Sequence, residues 1–230
     1  MKKTLSLLMT LMLCVLCLPA LGESDTAATS QGSVSITDDT GALVLALETV
    51  LVTDTDGDAV LTINDALACA HAAHPDGAEA YSAVPTEWGL SLMKLWGVEN
   101  GGSYGYYLND ASAFSLLDPV KDGDHVKAYV FTDLNAFSDT YCYFDAAYVE
   151  TSVGDTVELT LTAAAFDENF APITVPVAGA TLVIDGEATE IVTDAQGKAK
   201  LTILEDGSYL ISASHPEMNL VDPVCLIQAH

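Results

Sequence analysis

LVTDTDGDAVLTINDALACAHAAH, Leu51 to His74, changes its pattern twice, and those changes decide the fold of the region. Leu51 to Thr53 close an apolar, β-branched run that reads as a strand. Asp54, Asp56 and Asp58 then alternate around Gly57 in a loop too acidic and too short-period to be either strand or helix. From Asn64 to His74 the chain becomes alanine-rich with helical spacing, and Pro75-Asp76-Gly77 stops it. The stretch therefore predicts strand, acidic loop and helix in immediate succession.

The loop has the ligand spacing of a calcium site. Calcium takes six to eight oxygens from a loop that bends tightly around it. Counting from Asp54, carboxylates fall at positions one, three and five as Asp54, Asp56 and Asp58. Val60 at seven offers a backbone carbonyl, Thr62 at nine a ligand through water, and Asp65 at twelve a closing carboxylate. Leu61 is the apolar anchor. The loop resembles an EF-hand or dockerin-type calcium loop. Ala59 departs from the pattern, because position six needs positive φ and usually holds glycine. That geometry costs an alanine on the order of 1 kcal/mol. Together with the short Asp65 it implies a weak site, roughly 10⁻⁴–10⁻³ M. The plain alternative is an acidic, solvated turn in which Asp65 only caps the helix. A dockerin carries two such loops. TDAQGKAKLTI, Thr193 to Ile203, echoes the first but has Gln196 and Lys198 where acids are needed, so docking to a scaffold is the lesser alternative.

Around the loop, SVSITDDTGALVLALETVLVTD predicts a hairpin turning at Asp38-Asp39-Thr40-Gly41. Gly89 to Val98 and YYLND, Tyr106 to Asp110, read as strands. KDGD, Lys121 to Asp124, reads as a turn before a strand at His125 to Asp133. One helix between such strands is the order of a β-grasp fold. YGYYLND (Tyr104–Asp110) and LLDPVKDGDHVKAYVF (Leu116–Phe131) are similar to a bacterial extracellular family related to the C-terminal domain of transcobalamin. That resemblance covers Ser33 to Asp133 and implies a β-grasp domain. A calcium-type loop stands where that family has only a short segment before the helix.

After about Thr140, short runs separated by Gly154, Gly179, Gly186, Gly197 and Gly207 predict an all-β sandwich. PVAGATLVIDG (Pro176–Gly186), TDAQGKAKLTI and GSYLISA (Gly207–Ala213) resemble immunoglobulin-like modules of bacterial surface proteins, which serve as spacers or adhesins. The expected fold is an α+β β-grasp domain, residues 33–138, followed by an all-β immunoglobulin-like sandwich, residues 139–230.

Lys2, Lys3, the apolar run Leu5 to Leu18 and Ala20-Leu21-Gly22 read as a secretory signal over residues 1–22, with a mobile lead-in over 23–32. No membrane span is expected after cleavage, and the expected location is secreted or cell-surface. Without the signal, five lysines and no arginine face 33 acidic residues, a formal charge of −28. Such a field excludes nucleic acid as a partner and attracts divalent cations. Cys69, Cys142 and Cys225 remain, an odd number, and Cys142 with Cys225 is the one pair considered for a disulfide. His71, His74 and Cys69 are a weaker zinc candidate. No nucleophile elbow, zincin motif or phosphate loop is present, so the expectation is a non-enzyme.

Both tryptophans and eight of the nine tyrosines lie between Tyr81 and Tyr148. They either fill the core and junction, or Trp88, Trp96, Tyr104, Tyr106 and Tyr107 form a platform for a corrinoid-like or sugar ligand. The expected partners are thus calcium and an unidentified extracellular protein, glycan or small molecule.

Overall fold

The computed structural model describes residues 28–75 and 77–230. The expected signal segment and residues 23–27 of the lead-in lie outside the described residues. The described chain is mostly β-strand, with one α-helix. No helix among the described residues is long and apolar enough to cross a membrane.

In the N-terminal half, β1 (Thr29–Thr37) and β2 (Leu43–Thr53) form an antiparallel hairpin. The lead-in was expected to run to Gly32. Instead Thr29 to Gly32 are strand, because β2 is long enough to pair them with Val50 to Thr53. The helix α1 (Ile63–Ala72) follows. Next come β3 (Ser82–Thr86), β4 (Gly89–Lys94), β5 (Tyr104–Leu108), β6 (Ala111–Ser112) and β7 (His125–Val130). One sheet has the order β2-β1-β7-β5-β6, with β1 and β7 parallel and the other neighbours antiparallel.

Two expected strands change. Gly89 to Val98 stops at Lys94, where Trp96 at φ 49° and Gly97 at φ 80° turn the chain. Its partner β3 was not foreseen, because Pro85 argues against a strand. The pair stands as a two-stranded sheet, where proline is tolerated. YYLND ends as strand at Leu108. Asn109 and Asp110, both at positive φ, form the two-residue turn into β6.

The strand β7 is covered on both faces, as its central position requires. Val126, Ala128 and Val130 pack toward α1 with Val34, Ile36, Ile63, Leu67 and Ala70. Lys127 and Tyr129 point the other way, toward the C-terminal half. Tyr129 packs with Tyr141 and Val221. Its ring lies so close over β5 that a Cβ on Gly105 would fall 2.2 Å from it, which makes glycine necessary there.

The C-terminal half contains β8 (Thr140–Phe144), β9 (Tyr148–Thr151), β10 (Thr156–Phe166), β11 (Pro172–Pro176), β12 (Thr181–Ile184), β13 (Glu187–Val192), β14 (Lys198–Thr202), β15 (Gly207–Ser214), β16 (Leu220–Val221) and β17 (Cys225–Ala229). One sheet runs β11-β10-β8-β16, with β14 also paired to β10, and the other runs β13-β12-β15-β17-β9. Inward residues of both, among them Leu159, Leu161, Leu182, Ile211 and Ile227, share one core. The stretches from Cys142 to Val153 and from Thr174 to Asp185 each divide between the two sheets. A period-2 pattern does not reveal where a chain crosses from one sheet to the other.

The considered disulfide is absent. Cys142 and Cys225 are free and buried as small core residues on β8 and β17, in different sheets. Cys142 Sγ donates to the Val221 carbonyl at 3.3 Å, and burial pushes both thiols up to about 12.

Candidate metal centre

The three aspartates come together. Carboxylate oxygens of Asp54, Asp56 and Asp58 all lie within 4.8 Å of one another, the only such group of potential ligands among the described residues. Oxygens that bind one divalent cation lie within roughly 5 Å of one another, a condition this group meets.

Local hydrogen bonds shape the loop. Asp54 Oδ1 accepts from Gly57 N at 2.7 Å, and Oδ2 accepts from Ala59 N at 2.9 Å. Asp56 Oδ1 accepts from Asp58 N at 3.3 Å, and Asp58 Oδ1 from Val60 N at 2.8 Å. Gly57 has φ 82° and Ala59 has φ 66°, so the alanine adopts the left-handed geometry that position six requires. The two amide donors from Ala59 and Gly57 hold the Asp54 carboxyl below the usual range. Asp56 is shifted up, by partial loss of solvent and then by its acidic neighbours Asp58, Asp65 and Asp54. One carboxylate is thus satisfied by amides while the next carries the repulsion. A cation would relieve that repulsion.

Asp65 and Thr62 do not join the cluster. Asp65 is 0% exposed and both its oxygens are taken. Its Oδ1 accepts from the Thr55 amide at 2.8 Å and from the Thr55 hydroxyl. Its Oδ2 accepts from Thr62 N at 3.0 Å and Thr62 Oγ1 at 2.7 Å. Thr62 is the helix N-cap and its side chain accepts from Asp65 N, closing a capping box. The short aspartate is drawn inward by these donors instead of reaching the loop. Sequence reasoning missed Thr55, the residue that ties the loop to Asp65. A hydroxyl one residue after the first acid was the available signal.

The far side of the loop is fixed by non-local contacts. Leu61 is half-buried against the core, as its anchoring role requires, whereas Val60 is exposed. Val120 N donates to the Leu61 carbonyl at 2.9 Å. Ile63 N and Asn64 N donate to the carbonyls of Asp118 and Leu116 at 3.1 and 2.9 Å. The first amides of α1 are therefore all engaged, and no anion site remains at that end.

The zinc candidate does not form. His71 Nδ1 lies 2.6 Å from the Leu67 carbonyl, and Nε2 accepts from Trp96 N at 3.0 Å. Both ring nitrogens are committed, and burial lowers the pKa of the ring. Cys69 faces Thr53 instead.

The aromatic candidates are separated. Trp88 is 90% exposed at the β3–β4 turn. Trp96 packs its ring 5.4 Å from His71 and 4.9 Å from His74. The Tyr104 hydroxyl sits 2.7 Å from the Met93 carbonyl, and Tyr106 is half-buried in the helix-side core. Tyr107 lies on the other face of β5, stacked on Tyr141 with ring centroids 3.4 Å apart. Strand alternation splits adjacent tyrosines between two faces, so the five residues make no common platform.

No family model matches the chain, and no curated protein matches it. Among solved structures the chain is similar to the crystal structure of Dscam1 isoform 4.4, N-terminal four Ig domains, at 9% identity with a TM-score of 0.27. That match covers 90% of this chain and 45% of the other, so the chain spans less than half of that structure's length.

Proposed function

We propose that this is an extracellular, non-enzymatic binding or structural protein whose N-terminal domain is clipped by calcium. Residues 33–138 would form a β-grasp domain. The reading is supported by the leading hairpin, the parallel β1–β7 pair at the centre of the sheet and one helix packed across it. Residues 139–230 would form an immunoglobulin-like sandwich. Two facing sheets support this, as does Tyr209, whose hydroxyl donates to the Glu205 carbonyl at 3.0 Å in the manner of a tyrosine corner.

The observation that carries the calcium reading is the convergence of Asp54, Asp56 and Asp58 on a loop whose Ala59 accepts a φ of 66°. Their carboxylates, with the Val60 carbonyl and water, would hold the ion. The ion would supply charge compensation at the strand-to-helix junction and so hold α1 on its sheet. It has no chemical step to perform. Calorimetric titration with calcium tests this. Wild type is expected to bind one ion with a Kd on the order of 10⁻⁴–10⁻³ M, and Asp54→Ala with Asp58→Ala to bind none. Identical heats for the two proteins would end the calcium reading.

A further inference from the structure

The two halves enclose a groove of about 730 Å³, a volume suited to a small organic ligand. Its N-terminal wall is the β5–β6 turn, with Tyr107 and Asp110. Its C-terminal wall is the end of β8, with Tyr143 and Asp145, and the β10–β11 hairpin, with Phe166 and Ile173. The N-terminal wall is held in place by contacts within the protein. Tyr107 is clamped against Tyr141, and Asp110 Oδ1 accepts from the Tyr141 hydroxyl at 2.7 Å. Lys127, fully buried beneath the junction, donates to the Asp222 carbonyl and lies 5.3 Å from the centre of the Tyr141 ring.

The charge of the groove is one-sided. Asp110 and Asp145 are its only ionisable carboxylates and no lysine or histidine lines it. Each has one oxygen engaged inside the protein, Asp110 by Tyr141 and Asp145 by Thr160 N at 2.9 Å, and each second oxygen accepts nothing among the described residues. Burial raises the Asp110 carboxyl above its usual range, and the Tyr141 hydroxyl and Lys127 oppose that rise. At the mouth, Phe166 is 68% exposed and Ile173 is also exposed, apolar surface that costs solvation unless covered. Pro172 and Pro176 remove donors from the edge strand β11, so an added β-strand is a poor occupant. Tyr107, Tyr143 and Phe166 put aromatic surface in the lining, of the kind that attracts a cation.

We propose that this groove binds an organic cation, an ammonium or guanidinium group carried on an aromatic or aliphatic body. The charged group meets Asp110 and Asp145, and the body covers Phe166 and Ile173. This site is independent of the calcium loop.

The test is calorimetric titration of the intact chain at fixed calcium with three probes: phenethylammonium, its neutral isostere phenylethanol, and N-acetyl-arginine amide. Amide chemical shifts at Tyr107, Tyr143 and Phe166 report the location. Binding of either cation, at least tenfold tighter than phenylethanol, supports the site. The tighter of the two cations distinguishes a free amine from an arginine side chain. Asp110→Asn and Asp145→Asn keep the internal hydrogen bonds. Each is expected to weaken the cation roughly three- to tenfold, and Phe166→Ala by a similar factor. Cooperative denaturation, and amide shifts unchanged away from the groove, show that these variants fold. Equal binding of phenylethanol, no binding by any probe, or shifts confined elsewhere would overturn the proposal.

Discussion

Two stretches of this chain share one rhythm and fold differently. TDTDGDAVLTI, Thr53 to Ile63, and TDAQGKAKLTI, Thr193 to Ile203, match at the threonine-aspartate start, the glycine, the alanine and the closing Leu-Thr-Ile. The leading aspartate accepts from two backbone amides in both, one residue further along the chain in the first. Asp54 accepts from Gly57 and Ala59 amides, and Asp194 accepts from Gln196 and Lys198 amides at 2.8 and 2.9 Å. The outcomes diverge at the fifth position. Lys198 reaches Glu158 at 2.7 Å, Lys200 reaches the same carboxylate at 3.2 Å, and the chain runs directly into β14. Asp58 turns instead onto Val60, Ala59 becomes left-handed, and the chain curls before entering α1. One acid in such a turn is satisfied by backbone amides. Three acids share four amides in the first turn, and the proposed cation would offset the repulsion among them.

The largest expected difference lies in the matched glycines. A Cβ on Gly197, at φ 75°, would fall 2.3 Å from the Leu161 carbonyl oxygen, whereas one on Gly57 meets nothing within 4 Å. Gly197→Ala is expected to cost on the order of 3 kcal/mol, by strain plus collision with β10. Gly57→Ala is expected to cost about 1 kcal/mol, by strain alone. Denaturant midpoints at constant m-value check both. Equal losses would mean that the second turn is as loosely packed as the first.

The next effect separates Asp65 from the acids it was grouped with. Asp65→Asn removes a buried charge that accepts from four donors, and is expected to cost about 2 kcal/mol. The loss should be the same in calcium and in chelator, because the carboxylate serves Thr55 and Thr62. A loss seen only in calcium would make Asp65 a ligand after all.

That ambiguity marks the limit of sequence reading. The strand end, the loop, the helix start and the need for positive φ at Ala59 were legible, because each depends on residues within one or two turns. Asp65 was not decided, since a ligand at position twelve and a capping-box acid at N3 demand the same residue at the same place. What depends on distant partners was also hidden. Nothing near Lys127 marks it as fully buried, because the residues that cover it, around Tyr141 and Val221, lie far along the chain. The cluster of Tyr104, Tyr106 and Tyr107 was visible, but not that Tyr107 on the opposite face of β5 would stack on Tyr141 of the C-terminal half.

Calcium itself gives the third expectation. At 1 mM calcium and a Kd near 10⁻⁴ M, linkage adds about 1.4 kcal/mol to the N-terminal half. Thermal denaturation in calcium and in chelator should differ by a few degrees, and superimposed curves would remove any structural role for the ion. The raised Asp56 carboxyl adds a sign. It holds its proton more tightly than an ordinary aspartate, so binding weakens as pH falls toward its pKa and releases a proton there. Titrations at successively lower pH, in buffers of different ionisation heat, should therefore give apparent enthalpies that diverge as the pH falls.

The smallest change tests the one residue that breaks the spacing. Ala59 holds φ 66°, while its counterpart Ala199 is an ordinary buried strand residue on β14. Ala59→Gly removes the left-handed penalty but gives the unfolded chain more freedom, and the two effects oppose each other. Stability in chelator should therefore move by less than about 1 kcal/mol. Calcium affinity should respond more clearly if the empty loop relaxes away from the ligand geometry, because glycine lowers the cost of returning to it; up to roughly fivefold tighter binding is expected. Ala199→Gly has no strain to relieve and should only destabilise, by about 1 kcal/mol, with no effect on calcium. If Ala59→Gly behaves like Ala199→Gly, the first loop is no more specialised than the second, and the acids at Asp56 and Asp58 are surface charge alone.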